Sequence, residues 1–172
     1  MHVLIVGPRQ VGKSTLIQKV LDAVDRPVCG FATKREDALY NPELGYPIYI
    51  YPAHGPRIQT SDNLLGYCHD RKPDVNTEVF ETFAKTLQET PAADSVILMD
   101  ELGFMESHAE QFKATVLKHL DGDVPVIAAV KEKSTPFLDQ VKNHPNCKCF
   151  FINEENRDEL TDMVIDYLKK QF

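Results

Sequence analysis

Eight residues near the amino terminus, Gly7-Pro8-Arg9-Gln10-Val11-Gly12-Lys13-Ser14, carry the spacing G-x-x-x-x-G-K-[S/T]. These residue types suit one task, the cradling of a polyphosphate. Glycines at both ends of a short loop let backbone N–H groups turn inward around an anion. A helix opening at Lys13 adds the positive end of its dipole at the same place. Lys13 has the reach for β- and γ-phosphates, the Ser14 hydroxyl can ligate Mg²⁺, and Thr15 can contact the α-phosphate or support the loop. Residues Gly7 to Thr15 are therefore the expected contacts to a nucleoside triphosphate, ATP, GTP or another.

A second group with chemical potential is Val96-Ile97-Leu98-Met99-Asp100-Glu101, four apolar residues followed by two acids. At the carboxyl edge of an open α/β sheet, where ligands bind, Asp100 is placed to hold Mg²⁺ directly or through water. Strand alternation would send Glu101 to the other side, from which it can orient or deprotonate an attacking water. A base beside the metal suits transfer to water. Phosphoryl transfer also gains from an extra cation, for which Arg9 within the loop and Arg35, Arg57 and Arg71 further on are candidates. Asn156 and Arg157, entering the final helix, can meet the base or ribose; helix capping by Asn153 or Asn156 explains the same residues equally well.

These groups need strands and helices to hold them. His2–Val6 reads as a buried strand, followed by a helix from about Lys13 to Ala23 with Leu16, Val20 and Leu21 on one face. Val28–Thr33 reads as a second strand. Between Glu36 and Arg71, four prolines interrupt Tyr46, Ile48, Tyr49, Ile50 and Tyr51, which suits irregular short strands or a hairpin. Asp74 is the expected N-cap of a helix carrying Val79, Phe80, Phe83 and Leu87. Ser95–Met99, Val124–Val130 and Cys147–Ile152 read as strands. Helices are expected from about Ser107 to Leu120, near Pro136–Lys142 and from about Arg157 to Lys170. Buried runs alternating with helices predict βαβ crossovers: one α/β domain over residues 1–172, a mostly parallel sheet with helices on both faces and a β-rich insert at about 36–71.

Composition narrows the partners. Nineteen basic and twenty-six acidic residues leave a net charge of -7, which disfavours nucleic acid as the main ligand. No apolar stretch approaches the ~20 residues of a membrane span, so no membrane association is expected. Cys29, Cys68, Cys147 and Cys149 follow no scaffold spacing, which reads as a reduced, cytoplasmic protein. Cys147 and Cys149 share a strand face with no completing ligand set for a metal. The tyrosines of the insert read as a hairpin face packed on the sheet.

Several blocks resemble the P-loop nucleoside triphosphatases first described from thermophiles, also called cancer-related nucleoside triphosphatases. They are residues 7–14, Gly30-Phe31-Ala32-Thr33, Leu65-Gly66-Tyr67, Asp100-Glu101-Leu102-Gly103-Phe104-Met105-Glu106 with Phe112 downstream, and Asn156-Arg157-Asp158. The resemblance implies a P-loop three-layer sandwich, Mg²⁺-dependent hydrolysis of NTPs to NDPs with broad base tolerance, and nucleotide contacts at residues 7–14 and around Leu98–Met105. Phe104 stands where the family usually has Lys, and Lys34-Arg35-Glu36-Asp37 carries its charges in a different order. Arg35, next to the matched Gly30–Thr33 block, is the preferred arginine for the terminal phosphate. The expected catalytic set is thus Lys13, Glu101 and Arg35, with Ser14 and Asp100 on the metal and a monomer or weak oligomer as the working form. A kinase using the 36–71 insert as acceptor site, or a nucleotide-dependent switch, are the alternatives.

Overall fold

Strand β1 (His2–Gly7) is buried on both faces along its whole length. Its side chains alternate between two cores. Leu4 and Val6 join one, and Val3 and Ile5 join the other. A strand covered on both sides belongs in the middle of a layered α/β structure, and the rest of the chain supplies the layers. The computed structural model describes residues 1–69, 72–103 and 108–172.

One sheet of eight strands forms the middle layer. The further strands are β2 (Val28–Arg35), β3 (Tyr46–Pro52), β4 (Leu64–His69), β5 (Lys72–Val75), β6 (Val96–Leu102), β7 (Val126–Lys131) and β8 (Cys147–Phe151), in the spatial order β5-β4-β3-β2-β6-β7-β1-β8. The five strands from β2 to β8 in that order are parallel, while β3, β4 and β5 extend the sheet as an antiparallel meander. The helices are α1 (Lys13–Val24), α2 (Thr77–Leu87), α3 (Glu110–Asp121), α4 (Pro136–Lys142) and α5 (Arg157–Lys169). Leu16, Ile17 and Val20 of α1 pack with Leu160, Val164 and Leu168 of α5 on one face. Phe80 and Leu87 of α2, Phe112 and Val116 of α3, and Leu138 of α4 cover the other. Phe112 is the hub of that second core, edge-on to Phe31 at 5.2 Å and to Phe80 at 4.9 Å between ring centres. This is the expected three-layer α/β sandwich.

Local sequence explains most element ends, and tertiary partners explain the exceptions. Thr135 caps α4 by accepting from the Leu138 N–H at 3.1 Å, with Pro136 pre-set at the first helical position. α2 begins at Thr77 after Asn76, not after the predicted cap Asp74, because Asp74 is drawn into β5 opposite Tyr67. α3 begins at Glu110, later than the spacing suggests. Ala109 precedes it and has no capping group, so Glu81 of α2 reaches across to accept from the N–H of Gln111 at 3.0 Å. Strand β6 continues three residues past the predicted Met99, and β2 two past Thr33, because each completes its neighbour's ladder. The 36–71 segment adds a 3₁₀ turn (Asp37–Leu39), β3 and β4. The tyrosines of β3 are not one packed face, since Tyr51 is buried while Tyr46 and Tyr49 are partly exposed. Arg71 and Phe104 lie outside the described residues.

One buried polar residue ties the sheet to its helices. His2 is fully buried; its Nδ1 accepts from the Val126 N–H at 3.1 Å, which leaves Nε2 as the donor to the Leu120 carbonyl at 2.9 Å. Both bonds require the neutral ring, and burial pulls its pKa below the ordinary value of 6.5. The unfolded chain therefore takes up a proton near pH 6.5 that the folded chain refuses, so stability is complete above that pH and is lost on acidification. Urea unfolding between pH 7.5 and 5.5 is expected to show a falling midpoint for the native protein. His2→Gln should be less stable at pH 7.5 yet flatter across the same range, and equal slopes would remove His2 from the account.

Candidate active site

The phosphate-type loop follows β1 at the carboxyl edge of the sheet and runs into α1. Its course depends on two left-handed residues, Gln10 at φ 60° and Gly12 at φ 108°. Gly12 is the N-cap of α1 and supplies no side chain, and the first turn holds no acid, so the helix's leading N–H groups are left for an anion. Gly7 is needed for space: a Cβ there would come within 2.6 Å of Ile152 Cγ2. A Cβ on Gly12 would meet Arg157 Cδ at 3.8 Å, so the Arg157 side chain lies alongside the loop.

Lys13 points back into the loop. Its side chain is only 5% exposed, and the ammonium donates to the carbonyls of Gly7 and Pro8, both at 2.8 Å. Burial lowers its pKa, while the nearby Glu101 charge works the other way. Glu101 Oε2 lies 3.7 Å from that ammonium, and Glu101 Oε1 lies 3.5 Å from Lys131 Nζ, so one carboxylate bridges two lysines. Burial raises the Asp100 pKa, and a hydrogen bond from the Ser14 hydroxyl opposes the rise. Thr33 on β2 steadies the acidic turn: its hydroxyl accepts from the Glu101 N–H at 3.3 Å and lies 3.5 Å from the Asp100 carbonyl.

These groups share one cleft. A cavity of ≈ 360 Å³ is lined by Arg9, Gln10, Gly12, Lys13, Ser14, Thr15, Thr33, Asp100 and Glu101. The two acids do not point to opposite sides as simple alternation would have it. Asp100 pairs with Ala129 and Leu102 with Val130, so Glu101 is the extra residue of a bulge, and both carboxylates face the cleft. Ser14 and Asp100 form an oxygen pair suited to a hard divalent cation, and Asp100 is a buried carboxyl whose charge a cation would stabilise, so the residues present fit Mg²⁺.

Other expected residues fall elsewhere. Arg35, at the end of β2, is paired with Asp37 at 2.7 Å and lies over the Tyr46 ring at 4.5 Å; it does not line the cleft. Arg57 is exposed and lies over Tyr51, yet its charge is felt at Asp100. Asn156 is tied into its own turn, accepting from the Asn153 N–H and donating to the Phe151 carbonyl. Two contributors, Thr33 and Lys131, were not singled out from the sequence. Lys131 carries the same signal that marked Asp100, a polar residue ending a buried run at the sheet's carboxyl edge.

A P-loop leading from a central parallel strand into a helix, faced by an acidic strand end within an α/β sandwich, defines a P-loop nucleotide-binding protein. The model of the family described as NTPase matches residues 2–165, and the chain belongs to that family. The nucleoside-triphosphatase THEP1 of Thermotoga sp. (strain RQ2) is 31% identical over 172 residues, covering 98% of this chain and 96% of the relative. The cancer-related nucleoside-triphosphatase homolog of Bos taurus is 28% identical, covering 98% of this chain and 96% of its own. The crystal structure of THEP1 from the hyperthermophile Aquifex aeolicus superposes with a TM-score of 0.69 at 23% identity, over 98% of this chain and 99% of that one, and so shares the fold. The likeness read from the motif blocks thus extends over nearly the whole chain.

The loop geometry makes Gly12 a sharp test. Alanine there must hold a conformation that L side chains rarely adopt, at an expected cost of at least about 1 kcal/mol. Urea unfolding should register that loss in Gly12→Ala, and calorimetric titration with a non-hydrolysable ATP analogue should show weaker binding. Unchanged stability and affinity would mean that the loop does not need the left-handed turn.

Proposed function

We propose that this chain is a Mg²⁺-dependent nucleoside triphosphatase that converts NTP and water to NDP and phosphate with broad base tolerance. The observation that carries the reading is the convergence of Lys13, Ser14, Asp100 and Glu101 on one cleft at the mouth of the glycine loop. The family names of its relatives agree with it. Ser14 and Asp100 would hold the metal, which when bound supplies charge stabilisation to the phosphate oxygens. Backbone N–H groups of the 7–14 loop, which all its residues but Pro8 carry, and the dipole of α1 bind the polyphosphate, and Lys13 exchanges its carbonyl partners for β- and γ-phosphate oxygens. Glu101 receives a proton from the attacking water while the bond from the γ-phosphorus to the bridging oxygen breaks, and the electron pair leaves with NDP.

Broad base tolerance is the reading that the resemblance to the family implies. Arg157 beside the loop is read as a contact to the nucleotide, and Asn156 as its support. Arg35 would reach the phosphates only by leaving Asp37 and Tyr46. The sequence is read as one nucleotide-binding domain, with residues 36–71 as its insert. Its four cysteines are free thiols, and burial pushes Cys147 up to about 12; a cytoplasmic setting is read from the lack of scaffold spacing among them in the sequence. Among the described residues no helix is long and apolar enough to cross a membrane. A monomer or weak oligomer, free of nucleic acid, is the expected working form.

Phosphate release from ATP, GTP, CTP and UTP, with Mg²⁺ and no acceptor, tests the reading. All four should turn over, chelation of the metal should stop release, and Lys13→Ala and Glu101→Gln should each lower kcat by on the order of a hundredfold or more. Nucleotide binding without acceptor-independent release would sink the hydrolase and turn attention to an acceptor or partner for the insert.

A further inference from the structure

Lys131 is the last residue of β7, the strand lying between the loop-bearing β1 and the acidic β6. Its backbone pairs with Gly7, the first residue of the phosphate loop, and on its other side β7 borders the bulge at Glu101. From there the side chain crosses Gly103. A Cβ at that position would meet Lys131 Cδ at 3.0 Å and Cε at 3.3 Å, so the glycine makes room for the lysine stem. The ammonium ends 3.5 Å from Glu101 Oε1, and Lys131 is among the charges felt at Lys13. Glu101 is therefore held between two cations, one opening helix α1 and the other closing strand β7.

The two partners are not equivalent once a nucleotide binds. Lys13 is anchored in the loop and must turn toward the phosphates, which draws it away from Oε2. Lys131 starts from outside the loop and its ion pair engages the opposite oxygen. A carboxylate that loses one cation beside an incoming polyanion would swing away from the phosphate charge unless the other cation held it. We infer that Lys131 is a positioning residue, which keeps the Glu101 carboxylate directed at the attacking water after Lys13 has been taken by the nucleotide. This rests on the hydrolase reading above and adds a residue to it.

Steady-state phosphate release by the full chain with Mg·ATP tests the inference in Lys131→Met, Lys131→Arg, Glu101→Gln and the Glu101→Gln/Lys131→Met pair, each checked by thermal melting. Lys131→Met should lower kcat roughly tenfold or more with KM within about threefold of native. Lys131→Arg should recover most of that loss. Added to Glu101→Gln, Lys131→Met should cause no further fall, because the lysine acts through the carboxylate. If methionine lowers the melting temperature, Lys131→Gln takes its place. A raised KM with kcat held, or a further fall of the same size in the Glu101→Gln background, overturns the inference. The two readings fail separately. No phosphate release by the native protein removes the hydrolase, while an unimpaired Lys131→Met in a native protein that turns over removes only the role of Lys131.

Discussion

The ammonium of Lys13 is the charge around which the site is built. Burying an unpaired cation would cost several kcal/mol, so its position requires fixed acceptors. Two are carbonyls of the loop that carries it, at Gly7 and Pro8, and the third partner is Glu101 from a strand two places away in the sheet. Each partner is also what a bound polyphosphate would displace or recruit. Within the cleft the buried ammonium is thus satisfied by the loop that carries it and by Glu101.

The sheet makes that exchange geometrically possible. Ending β1, β7 and β6 at one edge brings the loop and the two acids to a single cleft, with Lys131 behind Glu101 and Thr33 of β2 on the far side of the acids. The bulge at Glu101 is the local device that matters most. A regular strand would have placed one carboxylate in the cleft and turned the other toward the opposite layer; the extra residue brings both to the same side. The two cores hold this edge rigid, one centred on Phe112 and the other on the packing of α1 against α5. Preorganisation of this kind is where electrostatic stabilisation of phosphoryl transfer comes from.

The antiparallel meander β3-β4-β5 lies at the opposite edge from β8, and among the described residues none of its side chains lines the cleft. Its nearest electrostatic link is Arg57, exposed over Tyr51 yet felt at Asp100. Arg35 illustrates how a charge can sit beside the site in sequence and apart from it in space. The ladder carries β2 two residues beyond Thr33, where the guanidinium meets Asp37 and the Tyr46 ring and does not line the cleft.

The amino-acid sequence by itself determined the α/β class, the alternation of buried runs and helices, and the phosphate loop. These are local: residue periodicity follows from the geometry of helix and strand, and the loop's glycines, lysine and serine are contiguous. It also located the two acids, because a polar pair closing a buried run marks a sheet edge. It did not determine the strand order, the facing of Glu101, the start of α3 under Glu81, or the membership of Lys131 and Thr33. Each depends on which strand lies beside which, and hydrogen-bond register between strands far apart in sequence leaves no trace in local spacing. The lysine that bridges to Glu101 is thirty residues downstream of it, and only the pairing of β6 with β7 makes them neighbours.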